Sequence, residues 1–251
     1  MNLDHPVAGD ISGLRQLWKL AFGDTDAFLD IFFSTAYGPD HCRCIRENDG
    51  VSAALYWLDM DYKGQKFAYI YAVATDPACR GRGLCRMLME DTTAVLTARG
   101  YDGIILVPQD KGLRTMYGRM GYFPAAPIDA VFCAASDSCP VRELTAEEYA
   151  DRRKELLPEG SLIPGQAAVN FLGELARFYA GSHFLAAVSR ETEHLRVLEY
   201  LGSRVHAPAL VAALGATEAT LRCPGEGTEF AMYRPLTAAC KRPEYYPFAF
   251  D

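Results

Sequence analysis

From Ala72 to Gly121 the chain reads AVATDPACRGRGLCRMLMEDTTAVLTARGYDGIILVPQDKGLRTMYGRMG. The order is strand, glycine-rich turn, helix, strand, helix. The turn, Arg80-Gly81-Arg82-Gly83-Leu84-Cys85, stands where a strand stops and a helix starts. There the first backbone N–H groups of the helix have no partner within it, and the helix dipole lies behind them. A turn of this kind is an anion site, suited to a phosphate or pyrophosphate.

The elements around it follow from periodicity. Asp10 is placed to cap a first helix, with Leu14, Leu17, Trp18 and Phe22 at helical spacing and Gly23 as its stop. A second helix is expected after Asp24 or Thr25, with Phe28, Ile31, Phe32 and Ala36 on one face. Cys42–Glu47, Val51–Asp59 and Lys66–Thr75 read as an antiparallel meander, turning at Asn48-Asp49-Gly50 and Asp61–Gly64. A helix from Gly83 to about Arg99 follows. The apolar run Gly103–Val107 suits a strand covered on both faces, in a parallel part of the sheet. A short helix from Gly112 to Met120 and strands at Tyr122-Phe123 and Val131–Cys133 complete this half.

Asp137-Ser138-Cys139-Pro140 reads as a linker, dividing residues 1–137 from a smaller α/β domain at 138–251. Thr145 is placed to cap a helix, and Gln166–Tyr179 reads as an amphipathic one with Phe171, Leu172, Leu175, Phe178 and Tyr179 inward. Strands are expected at His183–Val188 and Leu195–Leu201, around a turn at Glu191–Glu193. A short helix at Ala209–Leu214 and strands at Glu218–Arg222 and Phe230–Leu236 follow. The element order of the first half thus recurs without its glycine turn. The aromatic tail from Pro243 to Asp251 is expected to pack against something.

Three phosphate-turn patterns compete for Arg80–Cys85. A P-loop requires Lys followed by Ser or Thr, absent after Gly83, and a dinucleotide fingerprint requires a third glycine where Arg86 stands. The third pattern fits. Arg80–Cys85, with Val73-Ala74-Thr75-Asp76-Pro77 upstream, resembles the V-x-P and R-x-x-G-x-G/A run of the GNAT superfamily of N-acetyltransferases. Tyr117-Gly118-Arg119-Met120-Gly121-Tyr122 resembles that family's Y-x-x-x-G-[FY] segment. Cys85 departs from the signature, which asks for Gly or Ala.

This resemblance implies a GNAT fold, a mixed central sheet flanked by helices, followed by a smaller degenerate GNAT-like half. It implies acetyl-CoA as donor, its pyrophosphate on the N–H groups of Arg80, Gly81, Arg82, Gly83, Leu84 and Cys85. The pantetheine arm would pair along Val73 and Thr75, with an N–H near Val73 polarising the thioester carbonyl. Tyr117 would be the general acid that protonates the departing thiolate. The implied reaction is direct attack by a primary amine in a ternary complex; no cysteine or serine has the setting of a nucleophile. The alternative is a non-catalytic acyl-CoA-binding or interaction protein. The general base is unassigned: Asp59, Asp61, Tyr69 and Tyr71 lie on strands lining the acceptor side. N-myristoyltransferases, a related fold, use a C-terminal carboxylate as base. The tail is therefore expected either to enter the first cleft with Asp251 or to dock on the second half.

The net charge of −7 argues against nucleic acid as a partner. No apolar run nears the ~20 residues that cross a membrane. The N-terminus lacks the pattern of a signal peptide, so the chain is expected in the cytoplasm. Its eight cysteines form no C-x-x-C pair and read as reduced, and its five histidines lack metal spacing, so no metal site is expected. The acceptor, a small amine or a peptide, stays open. So does the oligomeric state, a homodimer included.

Overall fold

The computed structural model describes residues 1–47, 50–190 and 194–250. The turns expected at 48–49 and 191–193, and Asp251, lie outside the described residues. The first half runs β1 (Asn2–Asp4), α1 (Ile11–Phe22), α2 (Asp26–Thr35), β2 (Cys42–Glu47), β3 (Gly50–Tyr62), β4 (Gln65–Thr75), α3 (Leu84–Ala98), β5 (Gly103–Leu106), α4 (Lys111–Gly118), β6 (Phe123–Ala125) and β7 (Ile128–Ala134). The second continues with β8 (Arg142–Leu144), α5 (Ala146–Leu156), β9 (Ile163–Pro164), α6 (Gln166–Leu175), β10 (Ala176–Ala180), β11 (Phe184–Ser189), β12 (Leu195–Gly202), α7 (Ala207–Ala213), β13 (Glu218–Pro224) and β14 (Ala231–Pro235). Among the described residues, no helix is long and apolar enough to cross a membrane.

Local chemistry explains several helix boundaries. Thr25 caps α2 by accepting from the Phe28 N–H, and Gly23 closes α1 in the left-handed conformation. Thr145 and Glu148 form a reciprocal capping box on α5. Asp10 stands at the start of α1 but does not cap it. Its carboxylate accepts from the Val7 N–H and from Arg46 instead.

Two mixed sheets result. The first has the order β1-β2-β3-β4-β5-β14-β6, with β9 pairing β3; the second is β7-β13-β12-β11-β10-β8. Each sheet takes strands from the other's stretch of chain: the first takes β9 and β14, the second takes β7. β7 pairs antiparallel with β13, and β14 is inserted between β5 and β6. Only β4–β5 and β12–β13 are parallel neighbours among the named strands, each pair joined by a helix, α3 or α7. The expected repeat is therefore present in the fold.

The repeat is unequal at its turns. Gly81 and Gly83 sit at φ +77° with open space where a Cβ would be. Gly202, before α7, is packed: a Cβ there would lie 2.2 Å from the His183 carbonyl oxygen. The second turn is closed by the backbone of His183 and Phe184 at the start of β11, whereas the first has open space beside its glycines.

One expected helix is shorter than its pattern. Gln166–Tyr179 is helical only to Leu175, and Ala176–Ala180 is β10, paired with both β8 and β11. Its apolar residues satisfy a helical stripe and a buried strand equally well, and two waiting strand neighbours decide between them. The largest core cluster lies between the halves. It joins Trp18, Phe32, Tyr56 and Tyr69 to Phe171, Phe178, Leu198 and Leu201. A second cluster packs α3 and α4 on the other face of the first sheet, and a third lies under α7.

Candidate acyltransferase site

β4 and β5 pair from Phe67–Tyr69 to Gly103–Ile105 and no further. β5 ends at Leu106, and Pro108, two residues on, has no N–H to continue the ladder. From Ile70 to Thr75, β4 runs on with β3 as its neighbour, leaving one edge beyond the pairing. Within this stretch Ala54 pairs with Ala74 and Tyr56 with Tyr71. Ala72 and Val73 thus oppose Leu55 alone, which is a β-bulge. Ala72 sits at φ +48°. A left-handed residue with a Cβ costs about 1–2 kcal/mol. The bulge turns the backbone at Val73 out of its ladder, next to the parting strands.

The turn beyond β4 is built from local contacts. The Asp76 carboxylate accepts from the Ala78 N–H at 2.8 Å, and Pro77–Cys79 form a single 3-10 turn. Arg80 Nε donates to the Thr75 carbonyl at 3.4 Å. Gly81 and Gly83 are exposed, and Gly83 leads into α3 with no side chain capping the helix. Leu84 is buried beneath it. Among the described residues, no side-chain acceptor caps the N–H groups at this end. Arg82 gives its guanidinium to Glu47, at 2.9 and 2.6 Å. What Arg82 offers an anion in the turn is therefore its backbone N–H.

Tyr117 lies on α4, which Asp110 caps by accepting from the Leu113 N–H. Its ring meets Tyr122 edge-on at 5.7 Å, and the chain reaches Tyr122 through Gly121 at φ +84°. That glycine accounts for the Tyr-to-Gly-Tyr spacing. Tyr117 is buried, and burial pushes its pKa above the usual value, with a further rise from nearby Cys85. The phenol holds its proton and can act only as an acid near neutrality. Cys85 is half-buried against the second core, and burial raises its thiol as well. Tyr117 and Leu84, the first residue of α3, belong to one core cluster, against which Val73 and Cys85 also pack.

The family profile of the acetyltransferase (GNAT) domain matches residues 5–125. This part of the chain is a GNAT acetyltransferase domain. The family takes its acyl group from acyl-CoA, so the domain is an acyltransferase with acetyl-CoA as donor. No curated protein matches the sequence. Solved structures share the fold. A GCN5-related N-acetyltransferase from Kribbella flavida is 18% identical, over 93% of this chain and 70% of that one, with a TM-score of 0.71. One from Anabaena variabilis is 16% identical, over 94% and 73%, with a TM-score of 0.72. A tandem GNAT protein from the clavulanic acid biosynthesis pathway is 12% identical, over 95% and 100%, with a TM-score of 0.60. That likeness supports the two-part arrangement of the fold described above.

On the face of the GNAT sheet opposite α3, the tail reaches β4. The Tyr69 hydroxyl donates to the Ala249 carbonyl at 3.2 Å and the Tyr71 hydroxyl to that of Phe250 at 2.8 Å. Phe250 packs on Tyr69, Tyr71 and Phe171 and takes a left-handed φ of +57°. The tail therefore runs beside the bulge while also touching the second half, where Arg222 donates to the Pro247 carbonyl at 3.1 Å. Of the expected tail, only Asp251 is outside the described residues.

The other acceptor-side residues separate. Asp59 accepts from Tyr101 and from His41, at 3.3 Å to the latter. Burial raises the Asp59 pKa, but these hydrogen bonds outweigh it and hold the carboxyl below its usual value. Asp59 is paired to Ala68, whereas the bulge lies between Tyr71 and Ala74, farther along β4. Asp61 accepts from the Gly64 N–H at the β3–β4 turn. Neither aspartate is at the bulge, while Tyr69 and Tyr71 are beside it. Sequence reasoning missed Ala72 and Phe250. Their left-handed backbones carry no glycine to announce them. Among the described residues, no group of three or more His, Cys, Asp or Glu is placed to hold a metal ion.

Proposed function

We propose that the chain transfers an acetyl group from acetyl-CoA to a primary amine by direct attack in a ternary complex. The observation that supports this reading is that buried Tyr117 and the uncapped start of α3 share one core cluster, against which Val73 of the bulge also packs. The N–H groups of Arg80–Cys85 hold the pyrophosphate, with Gly81 and Gly83 allowing close backbone approach. Val73 and Thr75 pair with the pantetheine arm, and the Val73 N–H polarises the thioester carbonyl. A neutral amine attacks that carbonyl carbon, forming a C–N bond. Collapse of the tetrahedral adduct breaks the C–S bond. Tyr117 gives its proton to the departing sulfur, the amine nitrogen releases one proton to solvent, and the Tyr117 phenolate regains one from solvent. The proton balance is thus even. The catalytic residues all fall within residues 1–137.

Acetyl-CoA consumption over a panel of small amines and peptide N-termini tests this. Turnover on at least one acceptor, reduced in Tyr117→Phe, is the expected result. Acetyl-CoA binding without turnover on any acceptor would favour a non-catalytic acyl-CoA-binding protein instead. The pH profile has a definite sign. Only the neutral amine attacks, so kcat/KM rises with pH towards the amine pKa. The raised Tyr117 pKa keeps the acid protonated beyond the usual phenol value of about 10. No falling limb from Tyr117 is expected below that pH.

Cys85 provides a separate check on the turn. Cys85→Ala removes a half-buried sulfur from the first turn of α3 and supplies a residue the family signature accepts. The KM for acetyl-CoA should stay the same or fall. A rise of about tenfold, worth about 1.4 kcal/mol, would count against a pyrophosphate at this turn.

A further inference from the structure

One buried charge cluster takes no part in the chemistry above and lies on the path of the tail. Arg153 of α5 and Glu199 of β12 are 3% and 0% exposed. Arg153 Nε and Nη2 donate to the two carboxylate oxygens at 2.7 and 2.9 Å, and Nη1 donates to the Leu162 carbonyl at 3.4 Å. The Tyr149 hydroxyl donates to Glu199 Oε2 as well. The two-pronged pairing fixes the plane of the guanidinium. Burial alone would lower the Arg153 pKa, but Glu199 overrides it and holds it above the usual value. The group is charged at every working pH.

Such a pair is a poor device for stability alone. Withdrawing two ions from water costs about what their attraction returns, and apolar residues of similar shape often do as well or better. Its other face shows a use. The guanidinium carbon lies 5.3 Å from the centre of the Phe248 ring, a cation–π contact. A cavity of about 280 Å³, lined among others by Tyr149, Arg153, Val169, Leu172 and Phe248, adjoins that ring. The ring is otherwise buried, meeting Tyr246 at 5.8 Å and Phe250 at 6.3 Å, and the directed contact with the cation holds it on the side that adjoins the cavity. Two residues on, Phe250 sits left-handed on Tyr69, Tyr71 and Phe171 beside the bulge.

We propose that Arg153 is a positioning residue for the acceptor side of the site. Held by Glu199 and Tyr149, it seats Phe248, and through Phe248 it sets Phe250 as a wall beside Ala72–Val73. The second half, which lacks an open glycine turn, thereby shapes the acceptor cleft of the first. This inference rests on the acetyl-transfer reading for its kinetic part only.

The test replaces the whole polar cluster at once, with Arg153→Met, Glu199→Leu and Tyr149→Phe in one chain, so that no charge is left unpaired. Thermal unfolding should stay within a few degrees of the parent. The KM for the amine acceptor should rise about tenfold or more while that for acetyl-CoA stays within twofold. Hydrogen exchange should quicken in peptides covering residues 66–76 and 243–250 and stay unchanged in α3. Unchanged acceptor KM with unchanged exchange would overturn the proposal. If the triple variant does not fold, Phe248→Leu, which leaves the ion pair intact, should give the same split between the two KM values and the same exchange pattern. An equal rise in both KM values would overturn it. Should the parent turn over no amine, faster tail exchange in the variant still supports the seating role, and the acetyl-transfer reading alone falls.

Discussion

Tyr117→Phe lowers kcat by about 10²-fold or more while leaving acetyl-CoA affinity within twofold, as expected for a proton donor used late in the reaction. The substitution removes one oxygen and keeps the ring. The ring is what packs: Tyr117 is 6% exposed and lies edge-on to Tyr122. Folding should therefore survive, and the loss should appear in the chemical step. The thiolate leaving from CoA needs a proton, and no other acid is assigned beside the first turn of α3. Steady-state kinetics with both substrates varied separate kcat from the two KM values. A kcat within about threefold of the parent would remove Tyr117 from the mechanism.

Gly83→Val raises the dissociation constant for acetyl-CoA by at least about tenfold, with the fold retained. Gly83 stands at φ +77°, where a side chain is strained whatever the space around it. A left-handed residue with a Cβ costs about 1–2 kcal/mol, and branching at Cβ adds to it. The position is exposed and nothing lies within 4 Å of a built Cβ, so packing adds nothing to the cost in the free protein. The larger loss comes on binding. A turn that relaxes to relieve strain no longer aims its N–H groups at one point, and each tenfold of affinity is only about 1.4 kcal/mol. Calorimetric titration with CoA measures it, and circular dichroism checks folding. Undiminished affinity would place the pyrophosphate elsewhere.

Both experiments address residues that were legible from the sequence, and the reason is physical. The turn at Arg80–Cys85 is written in glycines because positive φ demands them locally. The boundaries of α2 and α5 are written in Thr25 and Thr145 because caps act over three residues. Tyr117 and Gly121-Tyr122 are one helix end and its stop. Each of these signals is an interaction between near neighbours in the chain, so composition at a few positions specifies it.

The rest depended on partners far away in sequence. Alternation tells which face of a strand is buried, but not which strand lies beside it. β14 enters between β5 and β6, and β7 crosses to β13, through ladders that join distant residues. Ala176–Ala180 became strand rather than helix because β8 and β11 were there to pair with it. Ala72 and Phe250 hold left-handed backbones without glycine, which the surrounding packing must impose. The sequence by itself determined the glycine turn before α3, the tyrosine on α4 and the repeated order of elements, because these rest on local backbone and capping energetics. Only the tertiary structure decided that the tail lies along β4 and that Arg153 sits beneath it. Those contacts join residues about 95 to 180 positions apart, and no local rule encodes which apolar surface a buried aromatic segment will meet.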